Sequence, residues 1–487
     1  MSRLALATLA VIAAILCTET WAEERHVATT EEISGWIQDP VDCGYRRPGT
    51  ESGLKAEQYI KQKFEEFGLD RVSLEPIEID VWHRDKWSLT VQADGQQRAV
   101  PCFPMPFSKF TSPDGTRAEL VYVGEGKESN YAQVSVEGKI AVVDIRFLTL
   151  PAEKFTAGAY LSYDPDNTAA QAQDTTATWI SPNREAAYQR AVKAGAVGVV
   201  GILKDMPANK CTLYAPYPDP RVAPAALPMV YIGRDDGAKL RERLQDGAVQ
   251  ASLTYNGRIV PGTTHNVVGI LPGKSDDAIL IGSHHDSPFA GAVEDASGIS
   301  MVLALAKYFG SVPPEKRDKT LWFVASAGHH YGAIGMLTFM KQHAEDLNPK
   351  LLCAVHLEHI AREFIEQDGR LVDSGLPQPS AIFVSDNPVL IEPIKQAVVR
   401  HNLDRTGVMP SAWGIGGRPP GESSLYHSIG IPNVGLISGP VYLLFEDDTF
   451  DKVAVDRLAP TAAAFADIIT SYDRTPSEQI RPRAEGK

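Results

Sequence analysis

Two hydrophobic rhythms alternate along this chain. Short, almost wholly apolar runs occur at 120–123, 139–144, 197–203, 227–232, 267–271, 278–282, 320–325, 351–357, 381–384 and 433–437. Among them lie longer stretches, 184–194, 237–244, 299–309, 334–343, 389–400 and 454–472, that read as helices, apolar residues recurring three or four positions apart. A continuous apolar run bounded by turn residues is a strand covered on both faces, and the three-to-four spacing is a helix with one face on the core. Their repeated order predicts an α/β protein with a mainly parallel sheet and helices on both faces.

The amino-terminal part is less regular. Thr29 or Thr30 caps a predicted helix over 30–36, with Glu32 in its first turn, and 43–54 (CGYRRPGTESGL) reads as a turn-rich link. Tyr59, Ile60, Phe64 and Phe67 give 55–67 helical spacing, which Gly68 ends. Alternating stretches at 72–81 and 87–100 predict strands. Residues 148–180 carry no period and predict a loop, and 475–487, charged and proline-containing, predict a loose tail.

Composition and charge then narrow the function. A chain of 487 residues with 44% apolar content is too long for one small domain, so at least two are expected. A net charge of −14 with no basic cluster excludes nucleic acid as the partner and favours a peptide or small molecule. The basic start Met1-Ser2-Arg3, the apolar run 4–17 and the small-residue site Thr20-Trp21-Ala22 make 1–22 an export signal, with an uncleaved anchor as the alternative. A secreted or periplasmic protein, free of the membrane once the signal is cleaved, follows. Cys43, Cys102, Cys211 and Cys353 then sit where disulfides are permitted, with all three pairings open, although Cys353 lies in an apolar strand that suits a buried thiol. No CxxC pair offers a cysteine-type zinc site.

The candidate chemistry centres on 278–309, AILIGSHHDSPFAGAVEDASGISMVLALAKYF. An apolar strand stops at Ser283-His284-His285-Asp286, and a loop holding Glu294 and Asp295 leads into a helix. In open α/β sheets, ligands bind beyond the carboxyl ends of the strands, where this loop falls. Gly195-x-x-Gly198 lacks the spacing and the Lys-Ser/Thr pair of a phosphate loop, and no GxSxG elbow occurs.

The order of these pieces resembles the binuclear-zinc aminopeptidase family, whose catalytic domain is shared by glutamate carboxypeptidase and the transferrin receptor. VEGKIAVVDI followed by AYQRAVKAGAVGVVGI is similar to a protease-associated domain. The resemblance implies a catalytic domain formed by 23–110 and 256–475, a protease-associated α/β insertion at 111–255, and a tail at 476–487. His284 and Asp286 match the family's H-x-D motif, ligand followed by ring-orienting aspartate. In GAVEDASG, Glu294 stands where the family has its bridging aspartate. In SAGHHYG, His329-His330 replace the Glu-Glu pair of general base and ligand. In HLEH, Glu358 replaces an aspartate ligand, and in YLLFEDDT Leu444 replaces the last histidine ligand.

The implied metal set is therefore His284, Glu294, His330 and Glu358, with His329 as proton acceptor and Asp286 as orienting residue. One zinc ion rather than two is expected, because one imidazole is lost. The implied activity is hydrolysis of an amide bond in a peptide or related small substrate; the alternative is a non-catalytic binding protein on the same fold. Alternation along 356–359 places His356 and Glu358 on one side and His359 on the other, and likewise turns His285 away from the site. The run Glu446-Asp447-Asp448 reads as a solvated loop beside the lost ligand position, and His427 in GESSLYHSIGIP as a helix-surface residue or a substitute for the missing ring.

Overall fold

The computed structural model describes residues 27–93, 95–152, 158–214 and 225–482; the expected export signal, 1–22, lies outside them. Two blocks of parallel strands share one mixed sheet. In the first, Met229–Ile232, Gly198–Leu203, Ile140–Ile145 and Thr116–Tyr122 lie side by side. In the second, Thr320–Ser326, Ala278–His284, Leu351–Leu357 and Asn433–Ser438 do the same. Beyond them come Ser380–Val384, antiparallel to its inner neighbour, and Thr406–Pro410. Two long strands, Asp70–Ala93 and Gln250–Leu271, pair antiparallel and join the blocks. Residues 250–253 pair with 116–119 in the first block, and 267–271 with 321–325 in the second.

The unbroken apolar character of 278–282 has a direct cause. Every residue of Ala278–His284 is buried, and successive side chains enter opposite cores. Ile279 and Ile281 pack with Val302, Leu305 and Phe465 on one face; Ala278 and Leu280 pack with Met336, Phe339 and Tyr426 on the other. Each buried isoleucine or leucine stabilises the fold by roughly 1.5–3 kcal/mol relative to exposure. A polar residue at any of these positions would face a helix rather than water.

Several elements depart from the sequence reading. The stretches 72–81 and 87–100 do not separate into two strands, because Asp70–Ala93 continues through the polar residues between them with a register shift between Arg84 and Lys86. A two-stranded ribbon has no continuous core to cover there, so polar residues do not end it. The second helix starts at Glu51, capped by Thr50, inside what reads as a link. The described residues of 148–180 hold three short strands, of which Leu161–Tyr163 joins the far sheet edge against Thr406–Pro410. The described part of the tail, 475–482, is docked rather than loose: Ser477–Ile480 is helical, Ile480 is buried, and Arg481 donates to the carbonyls of Asn348 (2.8 Å) and Leu351 (2.6 Å). The four described cysteines are free thiols, with Cys353 buried.

The loop after Ala278–His284 is fastened by Arg46, from the same turn-rich link. Its fully buried guanidinium donates to the carbonyls of His285 (3.1 Å), Ala290 (2.6 Å) and Gly291 (2.8 Å), and its own carbonyl accepts from the Ser287 amide at 3.1 Å. Burial opposes its charge, and Asp448, Asp295 and Asp286 favour it. Replacing Arg46 by Met strands buried carbonyls at about 1–3 kcal/mol each. Urea denaturation of Arg46→Met is therefore expected to show a loss of several kcal/mol, which Arg46→Lys cannot restore because an ammonium lacks the planar fork. A loss below about 1 kcal/mol would remove Arg46 as the anchor of this loop.

Candidate metal centre

Three neighbouring parallel strands deliver their carboxyl ends to one point. Ala278–His284 ends on His284, Thr320–Ser326 runs into the short turn His329–Tyr331, and Leu351–Leu357 is followed at once by Glu358 and His359. The loop fastened by Arg46 brings Glu294 and Asp295 over these ends. Gly298 opens the helix that follows, and a side chain there would strike the Leu357 carbonyl and the Asp295 carboxylate, so glycine permits the close approach.

Glu294 is the centre of the cluster. One carboxylate oxygen lies 3.3 Å from His284 Nε2 and 3.1 Å from His330 Nε2; the other lies 2.7 Å from His359 Nε2. The Nδ1 atoms of His284 and His359 donate to the carbonyls of Asp286 (3.1 Å) and Ser438 (2.7 Å). A carbonyl can only accept, so Nδ1 carries the proton in both rings and Nε2 is left facing the carboxylate. The Nε2 atoms of His284, His330 and His359 are sealed from solvent and make no well-formed hydrogen bond. Ligand atoms of His284, Glu358 and His359 fall within 4.8 Å of one another, as do those of His284, Glu294 and His329, and of His284, Asp286 and His330. Inward-facing imidazole nitrogens around carboxylates are a donor set that fits a cation such as zinc, so the residues present are able to hold one.

The electrostatics follow from this crowding. Burial raises the Glu294 carboxyl, but His359, His284 and His330 outweigh it and hold it well below the carboxylate range. Burial lowers the His359 imidazole, yet Glu294 lifts it to about 10. Asp295 is pushed by burial to about 7, with Glu358 and Glu294 adding to the rise against the pull of His284 and His359. Asp295 supports its neighbours: it accepts from the Ser283 hydroxyl, the Gly298 amide (3.1 Å) and the His359 amide (3.3 Å).

Of the residues singled out from sequence, His284, Glu294 and His330 meet directly, and Glu358 joins them from beside His284. His329 stacks on His284, with ring centroids 4.1 Å apart and planes 9° from parallel, and its Nδ1 lies 3.4 Å from Glu422. At 14% side-chain exposure His329 is the most open member of a cluster otherwise at 5% or less, which puts it at the mouth. Asp286 orients His284 through its backbone carbonyl; its carboxylate, 3.7 Å from Nδ1, instead accepts the His329 and His330 amides at 2.9 and 3.3 Å. That carboxylate shapes the His329 turn more directly than it does the ring.

Other expectations are corrected. His359 does not face away: its φ of 59° ends the extended backbone, so strand alternation no longer applies. Asp448 is not solvated; it is buried and accepts the amides of Val293 (2.9 Å) and Glu294 (2.8 Å). Leu444 is buried with φ of 69°, its carbonyl accepting from Tyr214. His427 contacts Asn433 and stays outside the cluster. His285 donates from Nε2 to the His265 carbonyl (2.9 Å), away from Glu294. Sequence reasoning missed Glu422, which is fully buried, accepts from the Ser326 hydroxyl at 2.6 Å and backs His329. No period or motif around it in GESSLYHSIGIP marks it as a buried acid.

With this geometry in hand, similarity to known proteins is informative. Residues 266–371, which include His284, Glu294, His329, His330 and Glu358, match the model of Peptidase family M28. Aminopeptidase YwaD of Bacillus subtilis (strain 168) is 28% identical over 153 residues, 30% of this chain and 31% of the relative. Human Carboxypeptidase Q is 23% identical over 325 residues, covering 63% of this chain and 60% of the relative, so less than two thirds of either relative's length is matched. The structure of BSAP, a zinc aminopeptidase from Bacillus subtilis, superposes with a TM-score of 0.66 at 18% identity, over 92% of this chain and 97% of that one. Residues 266–371 are thus a Peptidase family M28 domain, in a chain whose fold is that of the zinc aminopeptidases.

Proposed function

We propose that this protein is an exported zinc-dependent hydrolase that cleaves an amide bond of a peptide or related small substrate. The observation that carries the reading is the buried Glu294 carboxylate ringed by three imidazoles whose Nε2 atoms have no well-formed hydrogen bond. The Peptidase family M28 match supports the reaction class, and the zinc of BSAP supports the choice of metal. The apolar run 4–17 before Thr20-Trp21-Ala22 supports export to a secreted or periplasmic location, and no described helix is long and apolar enough to cross a membrane. Residues 111–255 are read as a protease-associated domain, a reading supported by the parallel block around Ile140–Ile145 and Gly198–Leu203.

His284, Glu294 and Glu358, now joined by His359, would hold one zinc ion. His330 contacts the same Glu294 oxygen as His284, and Leu444, at the position matched to the family's last histidine, offers no donor for a second ion. A zinc ion in this set supplies Lewis acidity toward the amide carbonyl and makes water more acidic. His329, at the mouth, takes a proton from water and returns it to the leaving amine. Glu422 beside its Nδ1 holds the ring and tautomer so that the opposite nitrogen does this work. Asp286 fixes the turn on which His329 and His330 sit.

The rival reading, a non-catalytic binding protein, is favoured by one observation, the leucine at 444. Two experiments separate them. Treating the purified protein with a chelator is expected to abolish turnover of aminoacyl and peptide substrates, and zinc to restore it; a protein free of metal and inert to the whole panel supports the rival. His329→Ala is expected to keep its zinc, measured by elemental analysis, while kcat falls by about 10²–10⁴. His284→Ala is expected to lose the metal itself, and unchanged turnover in either variant sinks the assigned roles.

A further inference from the structure

We propose that Arg84 and Arg47 form a carboxylate-binding subsite beside the metal centre, so that the preferred ligands are short peptides or amides carrying an anionic group. The substrate class deepens the hydrolase reading and rests on it only for the reaction, not for the binding.

Among the described residues, the buried arginines Arg46, Arg405 and Arg317 all have partners. Arg46 holds three carbonyls, Arg405 makes paired bonds to Glu363 at 2.8 and 3.3 Å, and Arg317 donates to the Pro272 and Phe309 carbonyls. Arg84 and Arg47 differ. Among the described residues neither guanidinium makes a hydrogen bond or an ion pair, and Nη1 of Arg84 and Nε of Arg47 are sealed from solvent without a partner. Burial and the charge of Arg47 both act against Arg84, and the groups that favour its charge are the phenols of Tyr214, Tyr255 and Tyr331. Two like charges held together without an acid are costly, and a chain of net charge −14 has carboxylates to spare. An incoming carboxylate relieves that cost.

The surroundings are shaped for such a ligand. The Arg84 guanidinium lies 4.9 Å from the ring of Phe103 and 5.5 Å from that of Tyr214, which hold its plane and leave its donors free. The register shift between Arg84 and Lys86 interrupts the ribbon at this point, a device that re-aims a side chain. Arg47 follows the loop anchor Arg46, so one link supplies both the clamp on the site loop and a free cation. Tyr214 connects the pair to the chemistry: the ring that faces Arg84 also lies 5.8 Å from His330, edge to face. The Arg84 guanidinium therefore lies no more than about 11 Å from the His330 ring, a span that a short peptide, at roughly 3.3–3.6 Å per extended residue, bridges. A planar guanidinium binds a carboxylate through two parallel hydrogen bonds.

Calorimetry on the zinc-loaded full chain tests this directly, with glutarate as probe and glutaramide as its neutral counterpart. Glutarate is expected to bind and glutaramide not, with glutarate affinity at least tenfold weaker in Arg84→Met and in Arg47→Met. Because no hydrogen bond is lost, Arg84→Met is expected to melt at or above the parent temperature, whereas an arginine that holds the fold together would lower it. In hydrolysis, Ala-Glu-amide places the anion on the side chain, Ala-Gln on the chain terminus, and Ala-Gln-amide has neither. Either of the first two is expected to exceed the third at least tenfold in kcat/KM, through KM, and to lose that advantage in both variants. Glutarate binding that both arginine variants leave intact overturns the subsite, as does equal turnover of all three peptides. Arginine-dependent glutarate binding without any hydrolysis keeps the subsite and removes the hydrolase reading instead.

Discussion

The carboxylate of Glu294 is removed from water and must be answered by charge or by metal. In a protein interior an uncompensated carboxylate costs several kcal/mol, so the position is sustainable only where the surrounding donors are held in place. Here the partners come from the ends of three parallel strands, which are among the stiffest parts of the fold because both their faces are buried. Arg46, Asp448, Asp295 and Gly298 act on the loop that carries Glu294. They anchor its carbonyls, take up its amides and let it approach the strand ends. The supporting shell is largely polar backbone recognition, and the parallel sheet is the frame that makes it rigid.

The site differs from an acid-rich metal centre in its balance of charge. Histidines occupy positions 329, 330 and 359, and the acids are concentrated in Glu294, Glu358 and the supporting Asp286, Asp295, Asp448 and Glu422. Imidazoles bring nitrogen donors without the repulsion that further buried carboxylates would add. Glu422 extends the pattern outward: an acid beside an imidazole at the mouth fixes which ring nitrogen is free. Beside the Tyr214 ring, which also packs against His330, the Arg84 guanidinium adds positive charge to this surrounding.

The departures from the sequence reading share one cause, the failure of local rules where the chain leaves regular structure. Alternation assigns His359 to the far side, but the strand stops at Leu357 and the backbone turns left-handed at 359, bringing consecutive residues to one site. Solvation is the ordinary fate of an acidic run, yet Asp448 is drawn inward by two unpaired amides at 293 and 294. The polar residues between 81 and 87 look like a break, and become instead the middle of a long ribbon from which Arg84 packs on Phe103 and Tyr214.

The sequence by itself determined the α/β class and most elements of the second parallel block, because burial on both faces of a parallel strand writes an unbroken apolar run and a covering helix writes its own period. It also carried the identities of His284, Glu294, His329, His330 and Glu358, whose residue types at strand ends announce metal chemistry wherever they meet. Only the tertiary structure decided that His359 belongs with them, that Glu422 backs His329, and that Arg46 and Arg47 take opposite duties. The contact between Glu422 and His329 joins residues 93 positions apart, and that between Arg46 and Gly291 spans 245. A partnership across such distances leaves no period or motif in the chain, since it is set by where the strands end in space rather than by what stands beside each residue in sequence.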